Sequence, residues 1–135
     1  MSIAAYRTTL RHTEDPRAIE RRLIVRVTGA LERHAAAYDA ASDRAARQTI
    51  LAGGLSAALA ENAAIWRALR NDLAAEGNRL APSLRAGLIS LALWMERETA
   101  RILGGGGRVG ALVEINGSIA AGLAGDVPGP TPVAA

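Results

Sequence analysis

The chain of 135 residues predicts an all-α protein, a small helical bundle of about four to five helices with a disordered C-terminal tail. Three observations lead there. Half of the residues are hydrophobic, yet Phe is absent and aromatics make up only 3%, so Ala, Leu, Ile and Val supply the apolar content. Ala is the best helix former and a poor strand former, which favours closely approaching helices over a β-sandwich. Apolar residues recur at three- and four-residue steps through long windows, and those windows are separated by short breaks carrying Pro, Gly, Asn or Asp.

In chain order, residues 2–10 could form two helical turns with Ile3, Tyr6 and Leu10 on one side. Thr13-Glu14-Asp15-Pro16 is a helix-start signal: Thr13 or Asp15 can cap, Pro16 fits the first turn, and the carboxylates meet the positive end of the dipole. A helix is expected from Pro16 to about Ala40. Its apolar stripe is Ile19, Leu23, Val27, Ala30, Leu31, His34 and Tyr38, and Arg21, Arg22, Arg26, Glu32 and Arg33 lie opposite. Ser42 or Asp43 begins the next helix, whose stripe runs through Leu51, Leu55, Ala58, Asn62, Trp66, Leu69 and Leu73. Gly53-Gly54 interrupts it near the start. Each Gly costs about 1 kcal/mol against Ala inside a helix, so a kink or break is expected there. Asn62 stands inside an apolar stripe, where a carboxamide must find hydrogen-bond partners or weaken the core.

Glu76-Gly77-Asn78 ends this helix, Gly77 suiting a left-handed cap. The stretch from Ala81 to Leu103 follows, with Pro82 in its first turn. Leu84, Leu88, Leu91, Met95 and Ile102 form one face and are expected to pack on the preceding long helices. Ile89 and Leu93 form a second face, expected to be covered by the last helix. Trp66 and Trp94 are expected to share one core cluster, because the short link makes their helices antiparallel. Gly104 to Gly107 reads as a flexible break; without the Gly-Lys-Ser/Thr ending or a preceding strand it is not a phosphate loop. Val109 to Leu123 is a last helix with Leu112, Ile115, Asn116, Ile119 and Leu123 on one side. Gly110, Gly117 and Gly122 lower its propensity, so it depends on packing and is expected to be mobile or stabilised by a partner. The expected organisation is a single helical domain over 1–124 and a disordered Pro/Gly-rich tail over 125–135.

The totals restrict function. All 16 basic residues are Arg, against 13 acidic ones, giving a net charge of only +3. A strong nucleic-acid binder concentrates more charge on one face, so the Arg-rich arc reads as a solvated face before it reads as an RNA surface. Cysteine is absent, which excludes disulfides and thiolate chemistry. The longest strongly apolar stretch, Ala86 to Met95, is about half of what a membrane span needs. No basic segment precedes an apolar run at the N-terminus, so the cytoplasm is the expected compartment. His12 and His34 stand alone, Glu96 and Glu98 point to different sides of a helix, and Ser90 has no activating neighbour. No catalytic site, cofactor or metal is expected from this pattern.

Four stretches then carry a resemblance. They are Ala5-Tyr6 with Thr13-Glu14-Asp15-Pro16-Arg17, Glu20 to Val27-Thr28 and Ala30-Leu31; Leu59, Asn62, Trp66, Leu69 and Asp72; Asn78, Leu84-Arg85-Ala86-Gly87-Leu88-Ile89-Ser90-Leu91 and Trp94; and Glu114-Ile115-Asn116, Ile119 and Gly122-Leu123. In this order and spacing the chain resembles the FlaF family of alphaproteobacterial flagellar biosynthesis regulators over essentially all of 1–125. Two departures stand out: Ala81 separates Leu80 from Pro82 where the family often has Leu-Pro, and Gly117 follows the last Asn where an Arg is usual. The resemblance implies a cytoplasmic, non-enzymatic protein that binds flagellin as a chaperone-like adaptor and acts together with, and oppositely to, the flagellin-mRNA regulator FlbT. The alternative it leaves open is action on flagellin mRNA, directly or through FlbT. Unpolymerised flagellin exposes amphipathic helical termini, and a groove between helices could receive one through apolar anchors. Ile89, Leu93, Ile115, Asn116 and Ile119 are the candidate groove residues, with Arg97 and Arg101 at the rim.

Overall fold

The computed structural model describes residues 16–123, which form four helical rods without strands. The segment over 2–10, the capping residues Thr13 and Asp15, and the tail from 125 lie outside the described residues. Helix α1 is Pro16–Ala40. The second rod joins α2 (Arg44–Ile50), a π-helical segment Leu51–Leu55, and α3 (Ser56–Ala74). Helices α4 (Pro82–Leu103) and α5 (Val109–Leu123) complete the bundle.

Local chemistry sets these boundaries. Asp43 caps α2, its Oδ1 accepting the Ala46 N–H at 2.7 Å. At Gly54 φ is +129°, so the rod kinks where a side chain would be strained, and a Cβ there would stand 3.2 Å from the His34 ring. Pro82 occupies the first turn of α4. Gly77, at φ +89°, turns the chain between α3 and α4.

The core joins Leu31 and Tyr38 of α1 to Leu51, Leu55, Leu59 and Trp66 of the second rod, Met95 and Ile102 of α4, and Val109 and Leu112 of α5. Trp94, Ile115 and Ile119 pack against this cluster from its edge, so both tryptophans belong to one core. The stripe of the second rod is buried as expected, with Leu69 at the margin. On α1 Val27, Leu31 and Tyr38 of the expected stripe are buried, but Leu23 is 40% exposed, and Ile24 and Thr28 are buried instead. Thr28 is accommodated because its hydroxyl donates to the Ile24 carbonyl one turn back.

The packing order differs from expectation in one respect. Helix α5 lies along α1 and scarcely touches α4, whose main neighbour is α3. Consequently Leu93 is not covered by α5 and stays 39% exposed, and Leu84 at the start of α4 is 52% exposed.

The α4–α5 junction explains why α5 sits on α1. The Tyr38 hydroxyl lies 2.7 Å from the carbonyls of both Ile102 and Gly106 and shares its proton between them. Arg47 stacks 4.4 Å over the Tyr38 ring and donates from Nη1 to the Gly105 and Gly107 carbonyls. Asp39 caps α5, accepting the N–H groups of Val109 at 2.8 Å and Gly110 at 2.9 Å. Buried Glu98 accepts the Arg108 N–H and an Arg101 guanidinium N–H. The four-glycine stretch, expected as a flexible break, is instead a held turn, with Gly105 and Gly107 at φ of +94° and +64°.

Candidate functional site

Helices α3 and α4 run antiparallel with alanines on their facing edges. Ala63 of α3 and Ala92 and Ala100 of α4 are too short to meet across the interface, and they leave a groove of about 220 Å³. Trp66, Met95 and Leu103 give it apolar walls. Small-molecule pockets usually measure about 300–1,000 Å³, so this groove suits a few side chains of a protein partner better than a cofactor.

The floor carries a three-residue polar network. Trp66 Nε1 donates to Asn116 Oδ1 at 2.9 Å, and Asn116 Nδ2 donates to Asn62 Oδ1 at 2.8 Å. An indole N–H can only donate, so it fixes the orientation of the Asn116 amide, and that in turn fixes Asn62. Asn62 Nδ2 is then left without a partner although the residue is 1% exposed. An unpaired buried donor costs about 1–3 kcal/mol.

At the rim, Arg70 Nη1 pairs with Glu96 Oε2 across the groove at 2.7 Å. With the Glu96 side chain 65% exposed, this pair contributes little. Arg67 is exposed and makes no ion pair among the described residues. The Thr99 hydroxyl donates to the Met95 carbonyl.

The sequence-predicted site residues divide in two. Ile89 and Leu93 share one helical stripe with Glu96, Ala100 and Leu103, at spacings of four, three, four and three residues, so they extend the face that borders the groove. Arg97 and Arg101 are exposed and lie further round the helix. Arg101 is paired with Glu98 at 3.1 Å. Ile115 and Ile119, on α5, pack half-buried against the core. With α5 on α1, they do not join Ile89 and Leu93 in one groove. Asn116, also expected at the site, is fully buried, and both its amide atoms are engaged inside the bundle by Trp66 and Asn62. Sequence reasoning missed the α3 side, where Ala63, Trp66 and Arg67 recur at three- and four-residue spacing. The available signal was alanine on two facing helices, which was read as propensity rather than as missing volume.

Among the described residues, no group of three or more His, Cys, Asp or Glu side chains is placed to hold a metal ion. No described helix is long and apolar enough to cross a membrane.

Neither a curated protein nor a solved structure matches the chain. The sequence profile of the flagellar protein FlaF family matches residues 2–123. That match spans every described helix, including the Asn62–Trp66–Asn116 network and both walls of the groove. The chain therefore belongs to the flagellar protein FlaF family.

Proposed function

We propose that this protein is a cytoplasmic, non-enzymatic adaptor that binds flagellin in a chaperone-like way and so supports flagellin production and secretion. The observation that carries the reading is the apolar α3/α4 groove flanked by exposed Leu93 and Leu103 on a protein of the flagellar FlaF family. Leu93 and Leu103, 39% and 47% exposed, offer apolar surface beside the groove that a partner could cover. An amphipathic flagellin helix could cover them through anchors at helical spacing, and it would itself be kept from aggregating. FlbT would be a further partner, acting with this protein on flagellin output. Part of the Arg-rich arc of α1 is occupied within the chain: Arg26 pairs with Glu61, and Arg22 also has a partner. The net charge of only +3 favours a protein partner over direct mRNA contact.

The reading is tested by capturing purified monomeric flagellin on the tagged chain. Capture should survive high salt and nuclease, whereas binding through several phosphates would weaken steeply with salt. Leu93→Asp and Leu103→Asp should each lower flagellin affinity at least about tenfold with little change in thermal stability, as expected for apolar anchors at an interface. Unchanged affinity in both well-folded variants would remove the groove from the reading. Capture lost on nuclease treatment would favour the mRNA route.

A further inference from the structure

We infer that the α3/α4 groove selects an acidic side chain on the flagellin segment it seats, using the Asn62 amide at its floor as hydrogen-bond donor and Arg67 at its rim as counter-charge. The inference rests on the flagellin-binding reading and adds a chemical requirement to it.

The side chains at the floor of the groove have a fixed orientation. Because Trp66 can only donate, Asn62 must turn its oxygen to Asn116, and this leaves Nδ2 unpartnered in a residue that borders the groove. The groove's other polar groups do not bond to it: the Thr99 hydroxyl donates to the Met95 carbonyl, the Glu96 carboxylate accepts from Arg70 at the mouth, and Nδ2 has no partner. What Nδ2 lacks is therefore an acceptor. A partner oxygen entering beside Ala63, Ala92 and Ala100 would supply one after a small shift that uncovers Nδ2, which is closed to solvent in the unbound chain. A carboxamide oxygen would satisfy Asn62 alone. The unpaired Arg67 guanidinium, lining the same groove, favours a carboxylate, since charge-assisted bonds are the stronger ones. The complementary segment is thus an amphipathic helix whose groove-facing ridge is small and aliphatic and carries one Asp or Glu.

The test uses the full chain and monomeric flagellin, with affinity measured by titration and Trp fluorescence. Ala100→Trp fills the groove from an exposed position, and Arg67→Glu reverses the rim charge. Each should weaken binding at least about tenfold. Asn62→Asp keeps the oxygen that Asn116 needs but replaces the free donor by an acceptor, and it should weaken binding similarly. If that variant loses its helical circular dichroism, the two exposed-site variants carry the test. Among single Asp→Lys and Glu→Lys variants of flagellin, one should lose binding to the wild-type chain and regain it with Arg67→Glu. Loss with Ala100→Trp but full affinity in Arg67→Glu would overturn the acidic requirement while leaving the groove as the seat. Full affinity in both would overturn the groove assignment while flagellin binding itself stands. Absence of any flagellin binding by the wild-type chain would bring down the inference together with the reading beneath it.

Discussion

Trp66 and Asn116 hold each other by a bond whose direction neither can reverse, and Asn62 inherits its orientation from them. Sequence reasoning placed Asn62 in the apolar stripe and required a partner for it, but not which partner, since Asn116 is 54 residues away. It also counted Asn116 among the groove residues, because it shares a stripe with Ile115 and Ile119; in the fold its amide is bonded to Trp66 and Asn62. Trp66→Phe keeps most of the apolar volume and removes only the indole N–H, leaving the buried Asn116 oxygen without its donor. It should cost about 1–3 kcal/mol of unfolding free energy in chemical denaturation. A change below about 0.5 kcal/mol, the usual effect of a neutral surface substitution, would mean that the network does not hold the bundle.

At the scale of elements, the glycines show the limit of propensity. Gly104 to Gly107 reads as a flexible break because glycine lowers the barrier to most conformations. In the folded chain two of these residues use that freedom to reach a positive φ, and the carbonyls of the turn are gripped by Tyr38 and Arg47. A Cβ on Gly107 would lie 2.7 Å from Glu98 Oε2, the oxygen that accepts the Arg108 N–H. Gly107→Ala should therefore destabilise by about 1–3 kcal/mol, the cost of a side chain in the left-handed region. It should also raise amide exchange through α5, which loses the turn that delivers it to Asp39. Exchange in α5 equal to wild type would show that the Asp39 cap positions this helix without the turn. Propensity alone made α5 a marginal helix. Capping by Asp39 and packing along α1 supply what its glycines withhold.

The whole molecule is two helix pairs, α1 with α5 and α3 with α4, joined through a shared core. The pairing decides which faces are free: the α3/α4 pair keeps its groove because α5 is committed to α1. The same junction gives the bundle an alkaline limit. Burial raises the Tyr38 phenol above its ordinary value of 10.0, with Arg47 partly opposing the shift. Well below pH 10 this phenol is protonated in both folded and unfolded chains and adds no pH dependence. Above it the unfolded chain loses the proton first, so stability should decline with rising pH until the folded pKa is passed. Thermal melts from pH 9 to 11 should show this decline, and Tyr38→Phe should flatten it. An equal slope in both proteins would place the alkaline sensitivity elsewhere.

The sequence by itself determined the helices, their ends and most of their inward faces. Those depend on spacing, capping chemistry and proline or glycine punctuation, all of which act within a few residues: Pro82, Asp43, the kink at Gly54 and the bounds of α1 and α5 were legible for this reason. It also brought Ile89 and Leu93 to one stripe, because a helix fixes angles along itself. Only the tertiary structure decided which helix faces which. That choice is set by contacts between distant residues, Tyr38 with Gly106, Asp39 with Val109 and Trp66 with Asn116. Periodicity describes one helix at a time and carries no term for its neighbour. The groove arises where short alanines of two helices face each other, a property of the pair that neither helix has alone.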